Sequence, residues 1–507
     1  MAICEATTFE SWLVPRSTTA AAVSSQELSI PKMRPDPLYV GSVTILHTRG
    51  VSVAFSVGLE AAAAVVHGLA GAGYRAYLVG GCVRDLLMGH APKDYDVATD
   101  AHPDRVMELF PRSLGVGAHF GVVLVPMLVD GQETVTEVAT FRSDGVYSDG
   151  RRPDEVAYTD DPQQDVLRRD FTINGMLLDV DKYLATGDAA SAALDYVGGR
   201  EDLEAGVVRA IGKPMRRFTE DKLRMLRAVR FAARFGFAIE RESFAAIRVL
   251  AAEIGQVSRE RVRDELTRML TEGQAAAAFE MLEKSGLLQQ VLPEVAAMRG
   301  VAQPPEWHPE GDVWVHTLLL LEKLPPGCAA TLAWGALLHD VGKPPTFTVS
   351  DRIRFNGHAE VGTRMAAAIC RRLRFSNEET DQVLALVANH MRFGDVEKMK
   401  ESTLKRFFRL PRFAEHLELH RLDVTSSHNR LELYDFAKAR YEAAPVEEVR
   451  PRLLVTGSKL IAAGYRPGPG FRAMLDAAED AQLEGTITTT EEGLALVREM
   501  FPPPPEA

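Results

Sequence analysis

Two aspartates one residue apart, Asp94 and Asp96, close a stretch that begins with a strand-like run, a Gly80-Gly81 pair and an Arg84-Asp85 pair: YLVGGCVRDLLMGHAPKDYDVATD, residues 77–100. On a strand, residues two apart point the same way and Tyr95 between them points opposite, so the two carboxylates converge. Hard divalent cations take oxygen ligands, and Mg²⁺ is usually held by one or two carboxylates plus substrate phosphates. The glycine pair supplies the other half, because a backbone without Cβ atoms can approach a phosphate and the free amides of a helix start favour an anion. Metal and triphosphate would then share one cleft. A DxD alone is usually a turn or a solvated strand end, and GG before a helix is scarcely more specific. Their order, GGxVRD, spacer, DxD, carries the weight.

A second set lies far downstream: His316, His339-Asp340, His358, His390 and Asp423. One histidine by itself is usually a satisfied core or surface residue. The ordered set H, HD, H, H, D resembles the HD phosphohydrolase superfamily. Imidazole plus carboxylate suits Mn, Fe, Co, Ni or Zn, and paired ions could activate water against a phosphoester. By the resemblance, His316, His339, Asp340 and Asp423 would hold one metal, and His358 and His390 would complete a second. A degenerate HD fold serving only as a tRNA-binding scaffold is the competing reading.

The elements that must position these groups follow from periodicity. An Ala-rich helix from Leu59 leads into a strand at Ala76–Val79, the Gly-Gly turn, a short helix and a second strand bearing Asp94 and Asp96. Ala101–Phe110 reads as a helix, with Pro103 tolerated in its first turn. Alternating runs at Val122–Leu128 and Thr134–Phe141, with Gly131 between, predict a β hairpin. Beside the DxD strand it would let Glu137 serve as a third acid, against the alternative of an exposed strand residue. Residues 143–164 are polar and turn-rich, predicting a mobile loop, and a helical run begins at Asp165. Residues 209–234 hold nine Lys/Arg against two acids, which predicts a phosphate-facing surface. There Thr219 is the expected N-cap, with Glu220 and Asp221 in the first turn. Asp221, Arg224, Arg227 and Arg230 recur every three residues, each step slipping back by about 60° on a helix, so Asp221 and Arg230 fall on opposite sides. Residues 240–300 are helical by periodicity, and the charges of Ser258–Glu265 could touch an acceptor stem.

The GG-x-VRD and DxD pair resembles the class II tRNA nucleotidyltransferases and bacterial poly(A) polymerases. That resemblance extends to Arg168-Arg169-Asp170-Phe-Thr-Ile-Asn174, similar to the family's RRDFTINA element with Gly175 where alanine is usual, and to Glu220–Arg227, similar to EDxxRxxR. It implies that Gly80, Gly81, Arg84, Asp85, Arg168, Arg169, Asp170 and Asn174 bind the nucleotide, and that Asp94 and Asp96 hold Mg²⁺. An acidic residue on the equivalent strand supports Glu137 as catalytic. Asp221 and Arg224 would act as a protein template on the base edge, and Arg227 and Arg230 would address phosphate or ribose. A carboxylate can accept from the amino group of C or A, and a guanidinium can donate to ring nitrogens or cytosine O2.

At 507 residues, 46% apolar and 25% charged, the chain is long enough for about three domains and ordinary for a globular protein. Its four cysteines form no CxxC pair and no apolar run reaches the ~18 residues of a bilayer span, which predicts a cytoplasmic protein without a membrane segment. The net charge of −12 argues against an unspecific nucleic-acid coat while leaving room for a local basic groove. Residues 1 to about 50 lack periodicity; read-through from an early start codon is favoured over a transit peptide. The expected fold is α+β: a nucleotidyltransferase head (56–200) with a small mixed or antiparallel sheet and flanking helices, after an N-terminal extension (1–55). An all-α neck (201–300), an all-α HD domain (301–440) and a helical tail with a Pro-rich end (441–507) follow. The resemblance implies transfer of CMP and AMP from CTP and ATP to a tRNA 3′ end. Alternatives are a poly(A) polymerase, a CC-only or A-only enzyme, an HD phosphohydrolase with an RNA-gripping head, or an RNA-binding module without catalysis.

Overall fold

The computed structural model describes residues 56–116, 121–144 and 156–502; the expectations for residues 1–50 and for the middle of the polar loop lie outside them. Ser56 caps the first helix, α1 (Val57–Gly71), accepting from the Leu59 amide at 3.3 Å. The chain then runs through β1 (Ala76–Val79), α2 (Gly81–Leu87), β2 (Asp96–Thr99) and α3 (Pro103–Leu109), the last starting two residues later than predicted, with Pro103 in its first turn. After β3 (Leu114–Gly115), strands β4 (Val122–Val129) and β5 (Gln132–Thr140) form the expected hairpin. Asp130 and Gly131 close it, both at positive φ (48° and 77°), the turn whose twist matches paired strands.

The span expected to be a loop from 143 to 164 carries structure at both described ends. β6 (Arg142–Asp144) pairs antiparallel with β7 (Val156–Tyr158), and α4 (Pro162–Leu167) is capped by Asp161 accepting from the Gln163 amide at 2.9 Å. The helical run therefore begins before Asp165 and ends at Leu167; a single 3₁₀ turn, Thr172–Asn174, follows the double arginine. With β8 (Met176–Leu178) and β9 (Ala193–Asp195) the head sheet is complete, in the order β3-β4-β5-β2-β1-β8-β9, mixed because β2 runs parallel to β5.

Register decides what faces the site. Val97 of β2 pairs with Val138 of β5, and both bury in the core under α1, with Leu59, Val65, Leu69 and Leu78. Asp96 and Glu137, one residue earlier on each strand, therefore share the opposite face. There Val79, Ala98, Phe141, Val166 and Leu177 form a second, smaller core.

Beyond the head the chain is mostly helical, not all-α as expected: Val207–Val208 pairs parallel with Ala238–Ile239 within 201–300, and Phe347–Val349 pairs antiparallel with Ile353–Phe355 within 301–440. Pro214–Glu220 and Leu223–Phe235 are separate helices broken at Asp221-Lys222. Pro214 starts the first one early, so Thr219 falls inside it and bonds the Met215 carbonyl (2.8 Å); Asp221, not Thr219, caps the next by accepting from the Leu223 amide (3.1 Å). Helices fill 241–296 as predicted, and a single apolar core runs on from Phe171 to Leu422. Cys82, Cys328 and Cys370 are free thiols, and among the described residues no helix is long and apolar enough to cross a membrane.

Candidate active site and candidate metal centre

Gly80 leaves β1 at φ +77°, a region open to glycine, and a Cβ there would lie 3.4 Å from the Arg169 guanidinium. α2 turns Arg84 inward. The buried guanidinium donates to Asn174 Oδ1 (2.6 Å) and to Asp85 Oδ1 (2.7 Å and 2.9 Å) and lies over the Phe235 ring at 4.5 Å. Asp85, expected to bind nucleotide, instead holds Arg84 and does not line the cleft.

Asp96 opens β2, while Asp94 precedes the strand and is exposed. β1 ends at Val79, the ladder partner of Asp96, and the chain turns away at Gly80, so nothing remains for Asp94 to pair with. The alternation survives, since Tyr95 is buried in the core between them. Burial first, then Glu137 and Asp94, push the Asp96 carboxyl up to about 7, with Arg169 opposing. Glu137 is exposed on its strand, yet its carboxyl is raised as well, by partial desolvation and then by Asp94. None of the three carboxylates makes a hydrogen bond or ion pair with a described residue, and as a trio their oxygens do not close to within 4.8 Å. Unpaired acids that repel one another across one cleft are a donor set that fits a hard cation.

Arg168 and Arg169 pair with Asp165, 1% exposed, at 2.6 Å and 3.0 Å. Asp170 accepts from its neighbour's amide, Phe171, at 2.8 Å and pairs with Arg227 at 2.6 Å. The cleft, about 420 Å³, is lined by the glycine turn, Arg84, Asp96, Arg168, Arg169, Asp170, Asn174, Asp221, Arg224 and Arg227, with Phe231 the one lining residue not singled out from sequence. Arg230 does not reach it. Its guanidinium, 5% exposed, pairs with Glu265 at 2.7 Å and Glu272 at 3.4 Å and lies over the Phe231 ring at 4.3 Å. The basic stretch 209–234 is likewise spent largely inside the protein, on Asp202, Glu220, Asp170, Glu265 and Glu272. Of the Ser258–Glu265 charges, Arg261 pairs with Asp221 at 3.0 Å and Glu265 with Arg230, so neither stands free for RNA.

The downstream histidines and aspartates do come together. His316 sits on the helix Val313–Glu322, His339 caps Ala330–Leu338, His358 opens His358–Arg372 and Asp423 lies on Phe413–Ser426. Asp340 Oδ2 lies 3.2 Å from His339 Nε2 and 4.0 Å from His316 Nε2, and its Oδ1 lies 3.6 Å and 3.8 Å from the Nε2 atoms of His358 and His390. One carboxylate thus faces two pairs of imidazoles. Asp423 Oδ1 is 3.1 Å from His316 Nε2. The Nδ1 atoms of His339, His358 and His390 sit 2.7–2.9 Å from backbone carbonyls, which fixes Nδ1 as the donor and leaves each Nε2 a lone pair aimed at Asp340. His358 and His390 even oppose their Nε2 atoms at 3.2 Å, and the buried Nε2 atoms of His316 and His339, though near Asp423 and Asp340, do not meet them in hydrogen-bond geometry. Inward lone pairs with nothing to accept from are a donor set that fits metal. Sequence reasoning missed Lys343, 2.6 Å from Asp340 Oδ2, and Gln303, His308 and Glu310 beside it. The three-residue step from Asp340 on a helical turn could have found Lys343.

Known proteins share this arrangement of head and helical body. Residues 76–209 match the model of the Poly A polymerase head domain, 236–299 that of the probable RNA and SrmB-binding site of polymerase A, and 312–431 that of the HD domain. Among curated relatives, the CCA-adding enzyme of Bacillus pumilus is 30% identical over 435 residues, 85% of this chain and 94% of the relative. The chain belongs to the CCA-adding enzyme family. That of Geobacillus thermodenitrificans is 39% identical over 235 residues, 46% of this chain; there the chain spans about half of the relative's length, 53%. A solved structure of the Bacillus stearothermophilus CCA-adding enzyme with CTP matches with a TM-score of 0.65 and 25% identity, covering 88% of this chain and 98% of that one.

Proposed function

We propose that this chain adds CMP and AMP from CTP and ATP to the 3′ end of tRNA, building or repairing CCA. The observation that carries the reading is the single cleft in which the glycine turn, the unpaired Asp96 and the arginine-rich wall meet, with Asp94 and Glu137 close enough to Asp96 to raise its carboxyl. Residues 56–200 are the nucleotidyltransferase head, 201–300 the RNA-binding neck, 301–440 the HD domain and 441–507 the tail. Asp94, Asp96 and Glu137 would hold Mg²⁺, and the ion would supply charge that lowers the pKa of the primer hydroxyl and steadies pyrophosphate oxygens. The turn at Gly80 and Gly81 lets the triphosphate lie against the backbone, and Arg169, held from behind by Asp165, offsets its charge. Asp221 and Arg224 present an acceptor and donors to the base edge, Arg227 is fixed by Asp170, and Phe231 offers a ring face to the base. Attack of the tRNA 3′-hydroxyl on the α-phosphorus then expels pyrophosphate. Such a protein works where tRNA matures, in the cytoplasm. Incubating tRNA lacking CCA with single nucleotides and with their mixture, then sizing the product, tests it: two additions with CTP and a third only with ATP are expected. Long A tracts would assign a poly(A) polymerase, and a product stopped at CC or at one A a partial enzyme.

A second reading rests on the histidine–aspartate cluster, whose inward lone pairs support a bound transition metal (Mn, Fe, Co, Ni or Zn) and hydrolysis of 2′,3′-cyclic or 3′ phosphates. When bound, such an ion activates water against a phosphoester. Asp340 presents one oxygen to each imidazole pair, and Lys343 beside it carries positive charge to the phosphate side. Replacing His339 and Asp340 should remove phosphatase activity and spare nucleotide addition. Loss of nucleotide addition with them would make the cluster structural.

A further inference from the structure

Residues 300–312 lie between the match to the RNA-binding model, which ends at 299, and the match to the HD domain, which begins at 312. They form a closed loop. The Gly300 amide donates to Asp312 Oδ2 (2.7 Å) and the Val313 amide to the Val301 carbonyl (3.0 Å), tying the ends together, while the His308 amide donates to the Pro304 carbonyl (3.0 Å) within the bend. Compact loops with tied ends are frequently functional.

This loop sends side chains inward at two points. Glu310, 8% exposed, accepts at Oε1 from His316 Nδ1 (2.8 Å) and from His308 Nδ1 (2.9 Å). Gln303, 4% exposed, accepts at Oε1 from the Lys343 ammonium (2.6 Å), which itself pairs with Asp340. Such placement is costly by default, since a buried carboxylate or amide must find partners. Glu310 Oε2 and Gln303 Nε2 are nevertheless buried without any. Their orientation serves the histidine and the lysine rather than their own satisfaction.

His316 differs from the other three histidines in one respect. His339, His358 and His390 have Nδ1 fixed by a carbonyl of their own or an adjoining segment, whereas His316 lies inside a helix and its Nδ1 has Glu310 as partner. A carboxylate on the far nitrogen of a metal-ligating imidazole fixes tautomer and ring orientation and raises ligand basicity. We propose that the 300–312 loop is an integral wall of the histidine–aspartate centre, with Glu310 the positioning residue that aims His316 Nε2 at the metal and Gln303 the one that holds Lys343 against Asp340. This rests on the metal-centre reading given under the proposed function.

Co²⁺ titration of the metal-free full-length protein, followed by visible absorption, tests it. The band that His339→Ala removes is the signal of this centre. Glu310→Ala should weaken Co²⁺ at that signal by about 10–100-fold and shift the band, the range usual for losing such a partner. Glu310→Gln keeps an oxygen that can accept from Nδ1 and should fall between, and Gln303→Ala should shift the band with a smaller loss. CCA addition by the same preparations reports that each variant is folded. Wild-type affinity and an unchanged band in Glu310→Ala and Glu310→Gln would overturn the positioning role while leaving the metal centre standing. No wild-type signal sensitive to His339→Ala would remove the metal centre and this inference with it.

Discussion

Among single residues, Asp94 and Asp96 answer a question of charge. Desolvation first, and then the nearness of the other acids, raises the Asp96 and Glu137 carboxyls, so the group is costly as it stands and gains from a cation. Asp94→Ala should therefore abolish nucleotide incorporation while leaving tRNA retention in a filter-binding assay within a few-fold; turnover near wild type would end the metal assignment. Asp170 is the opposite case. Burial would raise its carboxyl, but the Arg227 guanidinium wins and holds it at about 2. Since the folded value lies below the unfolded one near 3.9, the ionised form stabilises the fold above that pH, and the contribution fades as pH falls toward 2. By linkage it amounts to about 2 kcal/mol. Asp170→Asn should unfold at lower urea than wild type at pH 7, with the gap narrowing steadily by pH 3. An equal gap at both pH values would place the loss in packing instead.

At the level of elements, the break between Pro214–Glu220 and Leu223–Phe235 gives Asp221 two tasks: capping the second helix and facing the cleft. The tasks separate by substitution. Serine caps a helix about as well as aspartate, and losing the cap to alanine costs about 1 kcal/mol. Both substitutions also remove the pair with Arg261, so Asp221→Ser should melt above Asp221→Ala by the cap alone, yet both should lose discrimination of CTP over UTP in kcat/KM, by roughly 5–150-fold if one base-edge pair is worth about 1–3 kcal/mol. Retained discrimination in both variants would confine Asp221 to capping. Part of this element was legible in the residues: Arg224 and Arg227, three apart, both reach the cleft, whereas Asp221, expected on one helix with Arg230, lies in the break before that helix. For Arg230 the phosphate or ribose contact implied by the resemblance meets a guanidinium already paired with Glu265 and Glu272. The alternation of Asp94, Tyr95 and Asp96 was equally readable, as was the hairpin that sets Glu137 beside Asp96. Thr219 misled because a nearby Pro214 started the helix first. What no local pattern could reveal is pairing across long sequence distance: Arg84 over Phe235, Arg261 on Asp221, Gln303 on Lys343.

Taken as a whole, the molecule joins the neck beside its nucleotide cleft to its histidine–aspartate cluster through packing. The apolar core that begins at Phe171, in the loop behind the nucleotide cleft, runs unbroken through the neck helices to Leu422, one residue from Asp423. Trp334 lies at its middle, fully buried, five residues before His339, which caps the same helix; its indole donates to Thr267 Oγ1 of the neck at 2.9 Å. Removing such a ring costs about 3–5 kcal/mol from transfer and cavity together, and no internal boundary exists to confine the loss. Trp334→Ala should therefore lower the temperature at which nucleotide addition is lost, together with that at which metal binding at the histidine–aspartate centre is lost. Following both readouts through one thermal ramp checks this. If the metal centre fails while nucleotide addition persists to the wild-type temperature, neck and HD helices unfold independently, and the continuous core does not bind them into one cooperative unit.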